Sequence, residues 1–274
     1  MTLPPDFQFS QSSLQDYVDC ARRFDLGYLQ RLIWPAVESE PALEHEGRMQ
    51  QGADFHHRVH QHALGIPAKT LSGQIADDTV KTWWEHYLQH GLTDLPEQRH
   101  PEIALSAPLG DYRLIAKYDL IAIEPGQRAV IVDWKTSRQR PRRSWLGERL
   151  QTRVYRYLLV VAGAHLNGGE SIPPDQVEMV YWFAEHPQEP ERFVYDADQF
   201  KADEDHLLGL VAEIEGRSDF PLTPDVRRCH FCTYRSLCER GDRAGNLDDW
   251  LDEDETDDLS GLDFDLDQIA EIEF

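Results

Sequence analysis

The chain has 274 residues, 41% of them hydrophobic, and a formal net charge of −23 at pH 7. That length can build one large domain, or a core with helical additions, around a sizeable buried interior. No apolar run approaches the roughly 20 residues that crossing a bilayer requires, and no secretory signal is present, so we expect a cytoplasmic protein without a membrane segment.

The first part of the chain is predicted to be helical. Apolar periodicity predicts a helix over residues 11–33 that would carry Cys20. Two further helices are expected at 44–64 and 72–90, because Pro67 and Gly73 break the pattern between them.

The second part of the chain alternates between β-type and helical patterns. Three consecutive strands are predicted as a meander, followed by a helix, two later strands and a final helix. The predicted ranges are 101–107, 111–123 and 128–135 for the meander, 144–163 for the helix, 177–183 and 192–195 for the strands, and 198–217 for the last helix.

Residues 129–136, Ala-Val-Ile-Val-Asp-Trp-Lys-Thr, are typical of a buried strand that ends in catalytic chemistry. Positions i and i+2 of a strand share a face, so Asp133 and Lys135 would point the same way. A turn at 124–127 would bring Asp119 of the preceding strand beside them. Carboxylates bind Mg²⁺ or Mn²⁺, and an ammonium can orient water or offset phosphate charge, so the pattern indicates a metal-dependent phosphodiesterase. The same pair at a strand end also occurs by chance, and the motif needs its context.

The four cysteines form a second pattern. Cys229, Cys232 and Cys238 have the spacing C-x2-C-x5-C, and Cys20 is a distant fourth. Such thiols suit either a tetrahedral zinc or an iron–sulfur cluster, and spacing alone does not choose between them. Disulfides and free buried cysteines are the remaining alternatives.

Charge is distributed unevenly along the chain. Residues 248–274 hold 13 acidic residues and no Lys or Arg, which leaves a net charge of −10 on residues 1–247. Downstream of Lys135, basic residues cluster with only Glu148 opposing them nearby in the sequence, and such a cluster can attract a DNA backbone. The alternative is a solvated helix face with its adjoining loop. The cluster comprises Arg138, Arg140, Arg142, Arg143, Arg149, Arg153 and Arg156.

The acidic segment 248–274 combines high charge with spaced hydrophobic residues. The charge favours disorder in isolation. The hydrophobic spacing indicates a protein-partner-binding or autoinhibitory tail, and an aid to solubility is the alternative.

Together these motifs resemble the PD-(D/E)XK nuclease superfamily, and within it the RecB-type and CRISPR-associated iron–sulfur nucleases. The segment from Ser10 to Phe24 looks like the family's S-x-L-x-x-Y-x-x-C-x-x-x-F opening. The pair Gly52 and His56 is similar to its G-x-x-x-H helix, and Gln151 with Tyr155 fits its Q-x-x-x-Y helix.

The resemblance implies a fold and a set of roles. The fold would be an α/β restriction-endonuclease-like core, with a central mixed β-sheet flanked by helices, a helical N-terminal part and termini closed by an iron–sulfur cluster. The nuclease domain would span residues 1–247 with a helical insertion at about 34–98, followed by the tail. For the active site, the resemblance implies His56, Asp119 and Asp133 as ligands of Mg²⁺ or Mn²⁺, Lys135 as the catalytic lysine, and Gln151 and Tyr155 as supporting residues. The implied 4Fe-4S ligands are Cys20, Cys229, Cys232 and Cys238. The implied DNA-binding residues are Arg138, Arg140, Arg142, Arg143 and Arg153.

The function implied is a metal-dependent deoxyribonuclease, acting on single-stranded DNA or DNA ends in repair, recombination or CRISPR-type processing, with exonuclease action among the expectations. We also expect Glu102, one strand earlier than Asp119, as an outer acid of the site. The competing functions are a non-catalytic DNA-binding or helicase-partner scaffold with a RecB-like fold, and a zinc-stabilised adaptor that works through its tail.

Overall fold

The structure is a computed structural model that describes residues 3–34 and 40–241, without the side chains of residues 40–46. The chain divides into two units. The core unit comprises residues 1–11 and 43–219, and the cysteine unit comprises residues 12–42 and 220–274. The acidic segment 248–274 lies outside the described residues.

The helices and strands follow the predicted order along the chain, except for a short strand before the first helix, which the sequence analysis did not predict. The helices are α1 (Gln11–Asp19), α2 (Ala21–Phe24), α3 (Glu40–Ala63), α4 (Ala68–Ser72), α5 (Asp78–His90), α6 (Arg143–Glu148), α7 (Leu150–Ala162) and α8 (Ala197–Glu215). The strands are β1 (Gln8–Ser10), β2 (Gln98–Leu109), β3 (Tyr112–Glu124), β4 (Arg128–Lys135), β5 (Val177–Phe183) and β6 (Glu191–Val194).

The strands of the core unit form one mixed sheet in the order β1-β3-β4-β5-β6, with β2 also paired to β3. The β2–β3–β4 meander is antiparallel, and β5 joins β4 in parallel after the α6–α7 crossover. Helices α3 and α5 pack on the sheet through shared core residues, and α7 contacts β2, β3 and β5. An α/β fold with a mixed central sheet flanked by helices, as predicted, is confirmed.

Strand β3 changes its neighbour along its length. Residues 113–115 pair with β1, whereas residues 120–124 pair with β4. Asp119 falls between these two segments. Tyr118 packs on Tyr155 of α7, but Leu120 lies in the core cluster formed with α3 and α5, so the alternation of side chains along β3 shifts at Asp119. At this interruption the Asp119 side chain reaches both the Trp134 N–H of β4 and the His56 ring of α3.

A cluster of large apolar side chains fixes α3 and α5 to the sheet. Phe55 of α3, Trp84 of α5 and Trp182 of β5 are each at most 1% exposed. The Phe55 and Trp182 rings stack at a centroid distance of 6.1 Å. Burying side chains of this size stabilises the fold by roughly 1.5–3 kcal/mol each, which holds α3 against the sheet.

The cysteine unit has a smaller apolar core. Leu14, Tyr17, Phe24, Leu26 and Phe220 are buried, and the Phe24 and Phe220 rings stack at 6.1 Å. Polar links add to these contacts. The Trp34 indole N–H donates to the Ser236 hydroxyl at 2.9 Å, the Tyr234 hydroxyl donates to the Leu32 carbonyl at 2.9 Å, and the Arg22 N–H donates to the Pro221 carbonyl at 3.1 Å.

Two predicted helices are interrupted in the structure. The helix predicted over 11–33 breaks at Cys20, whose extended backbone (φ −161°, ψ 104°) caps α2, and a π-helix follows at Asp25–Leu29. The helix predicted over 144–163 breaks at Arg149, also extended, whose guanidinium lies 4.3 Å from the centre of the Trp145 ring. Within residues 3–34 and 40–241, no helix combines the length and apolar character that spanning a membrane requires.

Candidate active site

The predicted acid–lysine pair ends strand β4 as the sequence indicates. Asp133 and Lys135 lie on the same face, and the Lys135 ammonium is 3.0 Å from Asp133 Oδ2. Both residues are buried, at 4% and 7% exposure. Helix α7 covers this face and brings Gln151 to them.

Gln151 closes a network with both residues. Its Nε2 donates to Asp133 Oδ1 at 2.6 Å, and its Oε1 accepts from the Lys135 ammonium at 3.0 Å. We call Asp133, Lys135 and Gln151 the acid–lysine network. Each member contacts both of the others, so the network holds all three side chains in one orientation without any added ligand.

Tyr181 of β5 forms the floor beside this network. It pairs with Asp133 in the parallel ladder, and the Lys135 ammonium lies 5.5 Å from its ring centre. Its hydroxyl shares a 2.6 Å hydrogen bond with Thr152 Oγ1. Burial, and then the Asp133 carboxylate, raise the pKa of Tyr181 to about 12, so the hydroxyl keeps its proton at neutral pH.

Asp119 reaches the end of β4 from the adjacent strand. Its Oδ2 accepts from the backbone N–H of Trp134 at 2.9 Å, directly between Asp133 and Lys135 in the chain. Its Oδ1 lies 3.4 Å from Nδ1 of His56. Burial acts to raise the pKa of Asp119, but the His56 ring, the Trp134 N–H and the Lys135 ammonium together hold that pKa below its usual range.

Close packing of α3 on β4 positions His56. Gly52 lies one turn before His56 on the same helix, and a Cβ added there would be 3.0 Å from Thr136 Oγ1. A side chain at Gly52 would therefore press on the end of β4. The glycine one turn before His56, noted in the sequence, therefore allows α3 to approach the end of β4 closely.

The remaining predicted residues take less direct positions. Tyr155 is buried, its ring 4.7 Å from that of Tyr118, and its carbonyl accepts from the Tyr118 hydroxyl at 2.9 Å, so it anchors α7 to β3. The Glu102 carboxylate pairs with Lys117 at 2.8 Å. Sequence reasoning missed the Trp134 N–H and the Tyr181–Thr152 pair, for which no local pattern exists.

The site donors suit a hard cation. Carboxylate oxygens are ligands that Mg²⁺ and Mn²⁺ prefer, and His56 adds a nitrogen donor. In the described part of the chain, no three His, Cys, Asp or Glu side chains are grouped to hold an ion as they stand. The Asp133 carboxylate instead contacts the Lys135 ammonium and the Gln151 amide. An ion at Asp133 would therefore compete with these two contacts.

A family model described as the PD-(D/E)XK nuclease superfamily matches residues 8–239. The chain belongs to the PD-(D/E)XK nuclease superfamily. The prediction of this superfamily is thereby confirmed, and the RecB-type or CRISPR-associated iron–sulfur subtype stays a prediction. A search of curated proteins found no match.

Two solved structures are similar to this superfamily member in fold. One is SSO0001, with 13% sequence identity and a TM-score of 0.41, covering 84% of this chain and 85% of that chain. The other is a protein from Eubacterium rectale described as "Putative exonuclease", with 11% identity and a TM-score of 0.47, covering 75% of this chain and 79% of that chain. The family assignment rests on the family model.

The four cysteines all lie in the cysteine unit, as free thiols. Burial raises the pKa of Cys229, Cys232 and Cys238, and neighbouring thiols, including Cys20 in each case, raise it further. Within the described residues, no three of these side chains are grouped to hold an ion as they stand.

An ion pair joins the residues that precede two of these cysteines. Asp19 Oδ1 accepts from Arg228 Nη1 at 2.5 Å, and the Asp19 side chain is 2% exposed. Arg23 holds the other Asp19 oxygen at 3.0 Å. The pair brings the chain at Cys20 beside the chain at Cys229.

Four of the seven arginines of the predicted cluster pair with acids far away in the sequence. Arg140 pairs with Glu189 and Glu191, and Arg143 also pairs with Glu191. Arg153 pairs with Asp203, whose other oxygen lies 3.5 Å from Arg156. Counting acids nearby in the sequence missed these partners, because β6, the loop before it and α8 supply them. Arg138 and Arg142 are exposed.

Proposed function

We propose that the chain is a deoxyribonuclease that uses Mg²⁺ or Mn²⁺ to hydrolyse phosphodiester bonds in single-stranded DNA or at DNA ends. The observation that carries the proposal is the acid–lysine network at the end of β4, with Asp119 hydrogen-bonded to the intervening Trp134 N–H. Superfamily membership supports nuclease chemistry. The strand preference comes from the resemblance to RecB-type nucleases.

Asp119, Asp133 and His56 would hold the ion in this proposal. When bound, a divalent ion supplies charge for the phosphate oxygens and lowers the pKa of a water that attacks phosphorus. The nitrogen donor of His56 favours Mn²⁺ over Mg²⁺.

The chain's own residues would position the reacting groups. The Lys135 ammonium lies in a largely buried position where it can donate to a phosphate oxygen or orient the attacking water. Gln151 keeps that ammonium and the Asp133 carboxylate together, which limits the motion of both before substrate arrives. Burial strengthens these charge interactions relative to water.

Cleavage of labelled DNA tests the proposal directly. Wild-type protein is incubated with single-stranded and double-stranded DNA plus Mn²⁺ or Mg²⁺, beside Asp133→Asn and Lys135→Ala. We expect Lys135→Ala to lower the rate by on the order of 10²–10³-fold. Asp133→Asn should lower it by at least as much, because a metal contact contributes several kcal/mol to transition-state stabilisation.

Two exposed positions provide matched controls. Asp111 lies in the β2–β3 turn, and Lys201 pairs with Glu204 and Asp205 on the surface of α8. Asp111→Asn and Lys201→Ala should leave cleavage unchanged. Equal cleavage by wild type and both site variants would place the activity elsewhere or in a contaminant.

The competing scaffold function predicts a different result. A non-catalytic DNA-binding protein would bind DNA without cleaving it under either ion. An adaptor stabilised by zinc would show neither activity. Asp133 pairs with Lys135, and Asp119 accepts from the Trp134 N–H between them in the chain. This arrangement favours catalysis over these alternatives.

We also propose that the four cysteines bind a 4Fe-4S cluster that stabilises the cysteine unit, with zinc as the alternative. The donor chemistry supports a soft metal centre, since all four cysteines of the chain are gathered in one unit. The Asp19–Arg228 pair supports it further by placing two ligand segments side by side. Iron and sulfide analysis with the visible spectrum tests the cluster, and stoichiometric zinc without iron would contradict it.

DNA contact by the exposed Arg138 and Arg142, and protein binding or autoinhibition by residues 248–274, remain proposals of the same kind. Deleting 248–274 and measuring DNA affinity and partner recovery tests the tail. Unchanged values for both would leave only a role in solubility.

A further inference from the structure

A cavity of about 240 Å³ opens beside Asp119 in the core unit. It lies between the last turns of α3, the end of α5, the loop that follows α5 and the first residues of β2. Val59 and Ala63 line it from α3, Tyr87 from α5, and Trp134 from β4. We call this cavity the side pocket. Its volume exceeds that of a single planar nucleobase.

The side pocket shares one residue, Asp119, with the candidate metal site. Asp119 forms part of its wall and also contacts His56. His60, another lining residue, follows His56 by four positions on α3, which corresponds to about 6 Å along the helix axis. The spacing is similar to that between the phosphate and the base of one nucleotide. A phosphate held at Asp119 would therefore have its own base within reach of the pocket.

The pocket walls suit a planar, uncharged group. The Tyr87 and Trp134 rings meet edge to face at a centroid distance of 5.5 Å. Aromatic side chains of this kind bind bases of any sequence by stacking and edge contacts. Apolar residues from α5 and the following loop, Leu88, Leu92 and Leu95, extend the same surface.

The polar groups of the pocket can recognise the edge of a base. The Tyr87 hydroxyl and His62 Nδ1 are 3.1 Å apart, and burial, followed by nearby Arg99, lowers the pKa of His62, so its ring is neutral at neutral pH. Among the described lining residues, Arg99 is the one permanent cation, and Asp119 opposes it as an anion. A terminal phosphate would thus face a carboxylate and an apolar wall, which disfavours it relative to a neutral base.

We propose that the side pocket receives the unpaired base of the nucleotide whose phosphate lies at Asp119 and Asp133. This inference rests on the proposed nuclease function and extends it to substrate selection. A paired base is stacked in the duplex with its recognition edge occupied, so entry requires a single strand, a frayed end or an extruded nucleotide. The pocket would make the enzyme sensitive to the presence of a base, with little dependence on which base it is.

A base-deletion scan tests the inference with the full chain. Single-stranded oligonucleotides carry one abasic residue at successive positions, and cleavage is measured with Mn²⁺. We expect wild type to show about a tenfold or larger rise in KM when the abasic residue lies at the cleaved phosphate, and little change elsewhere. Equal cleavage of every abasic strand and the unmodified strand would overturn the proposal.

A pocket-filling variant supplies the second arm. Ala63→Leu places extra volume in the pocket, and Ala202→Leu adds the same volume at an exposed position of α8. Ala63→Leu should raise KM for the unmodified strand about as much as the abasic residue does, and the two changes together should not multiply. Base binding in the pocket would be contradicted if the KM increases from Ala63→Leu and from the abasic residue multiplied. It would also be contradicted if Ala63→Leu and Ala202→Leu raised KM equally.

Binding measurements separate this inference from the nuclease proposal. Fluorescence anisotropy in a chelating buffer compares a short deoxythymidine strand with an abasic strand of the same length. Base-dependent binding that Ala63→Leu removes, without any cleavage, would support the pocket and overturn the nuclease function. A preference for 5′-phosphorylated strands that ignores base removal would assign the pocket to phosphate and overturn the inference.

Discussion

The two candidate centres of this protein differ in what holds their side chains in place. The acid–lysine network ends a strand in the interior of a six-stranded sheet, where Gln151 hydrogen-bonds both Asp133 and Lys135 and those two residues form an ion pair. The cysteines lie in a unit with a small apolar core, where ion pairs such as Asp19–Arg228 connect the segments. The first centre is preorganised by the fold, whereas the second would depend on the proposed metal centre for stability, as small metal-binding units commonly do.

Removal of the proposed cluster should produce the largest effect. Structural metal centres contribute on the order of 10 kcal/mol to folding, so Cys229→Ser or strong chelation should abolish hydrogen-exchange protection in residues 12–34 and 220–241. Protection of β3, β4 and α7 should persist, because the core unit has its own apolar interior. Unchanged hydrogen exchange in the cysteine unit under both treatments would show that this unit does not need a metal centre for its stability.

Loss of Gln151 tests whether the acid–lysine network is preorganised. Gln151→Ala should lower cleavage about 10–100-fold and raise the Mn²⁺ concentration required, because residues that orient metal ligands have effects of this size. A titration of cleavage rate against Mn²⁺ measures both changes. Gln176 contacts the Gly126 carbonyl in the β3–β4 turn, at the other end of β4, so Gln176→Ala is the matched control. Equal behaviour of the two variants would show that Gln151 is only a packing residue.

The Asp19–Arg228 pair should contribute less, since Arg23 also binds Asp19. Arg228→Gln should destabilise the cysteine unit by about 1.5–3 kcal/mol, the range for hydrogen bonds to a charged group. Chemical denaturation monitored by hydrogen exchange measures this change. Arg227→Gln removes an exposed contact with Asp225 next to it and should cost roughly 0–1 kcal/mol. An equal loss in both variants would remove the special role of the buried pair.

Gly52 offers the smallest and sharpest test in the core unit. Gly52→Ala should lower cleavage a few-fold through pressure on Thr136, while the free energy of unfolding changes by less than about 1 kcal/mol, since better helix propensity offsets the crowding. Gly47→Ala in the same helix meets open space and should leave cleavage unchanged. Thr136→Ala should restore cleavage in the Gly52→Ala background if the contact is the cause. If Thr136→Ala did not restore cleavage, the contact between residue 52 and Thr136 would not be the cause of the lower rate.

The arginine cluster shows the limit of counting charges along the sequence. Counting neighbouring charges predicted a basic surface, but Glu191 and Asp203 lie some fifty residues from the arginines they neutralise. The prediction of one continuous helix through Cys20 was wrong for a related reason. Its periodicity continues through Cys20, yet the chain breaks there next to the buried Asp19, whose partner Arg228 is far away in the sequence.

By itself, the sequence determined the meander and the placement of Asp133 and Lys135 on one face, because strand alternation and turn residues act over a few positions. The order of the motifs along the chain also pointed to the superfamily. The tertiary structure decided that Gln151 bridges both residues, that the Asp119 side chain meets the Trp134 N–H, and that a cavity opens beside them. These features depend on how α3, α5 and α7 pack on the sheet. Packing is set by the complementary shapes of residues distant in the chain, and short patterns do not encode it.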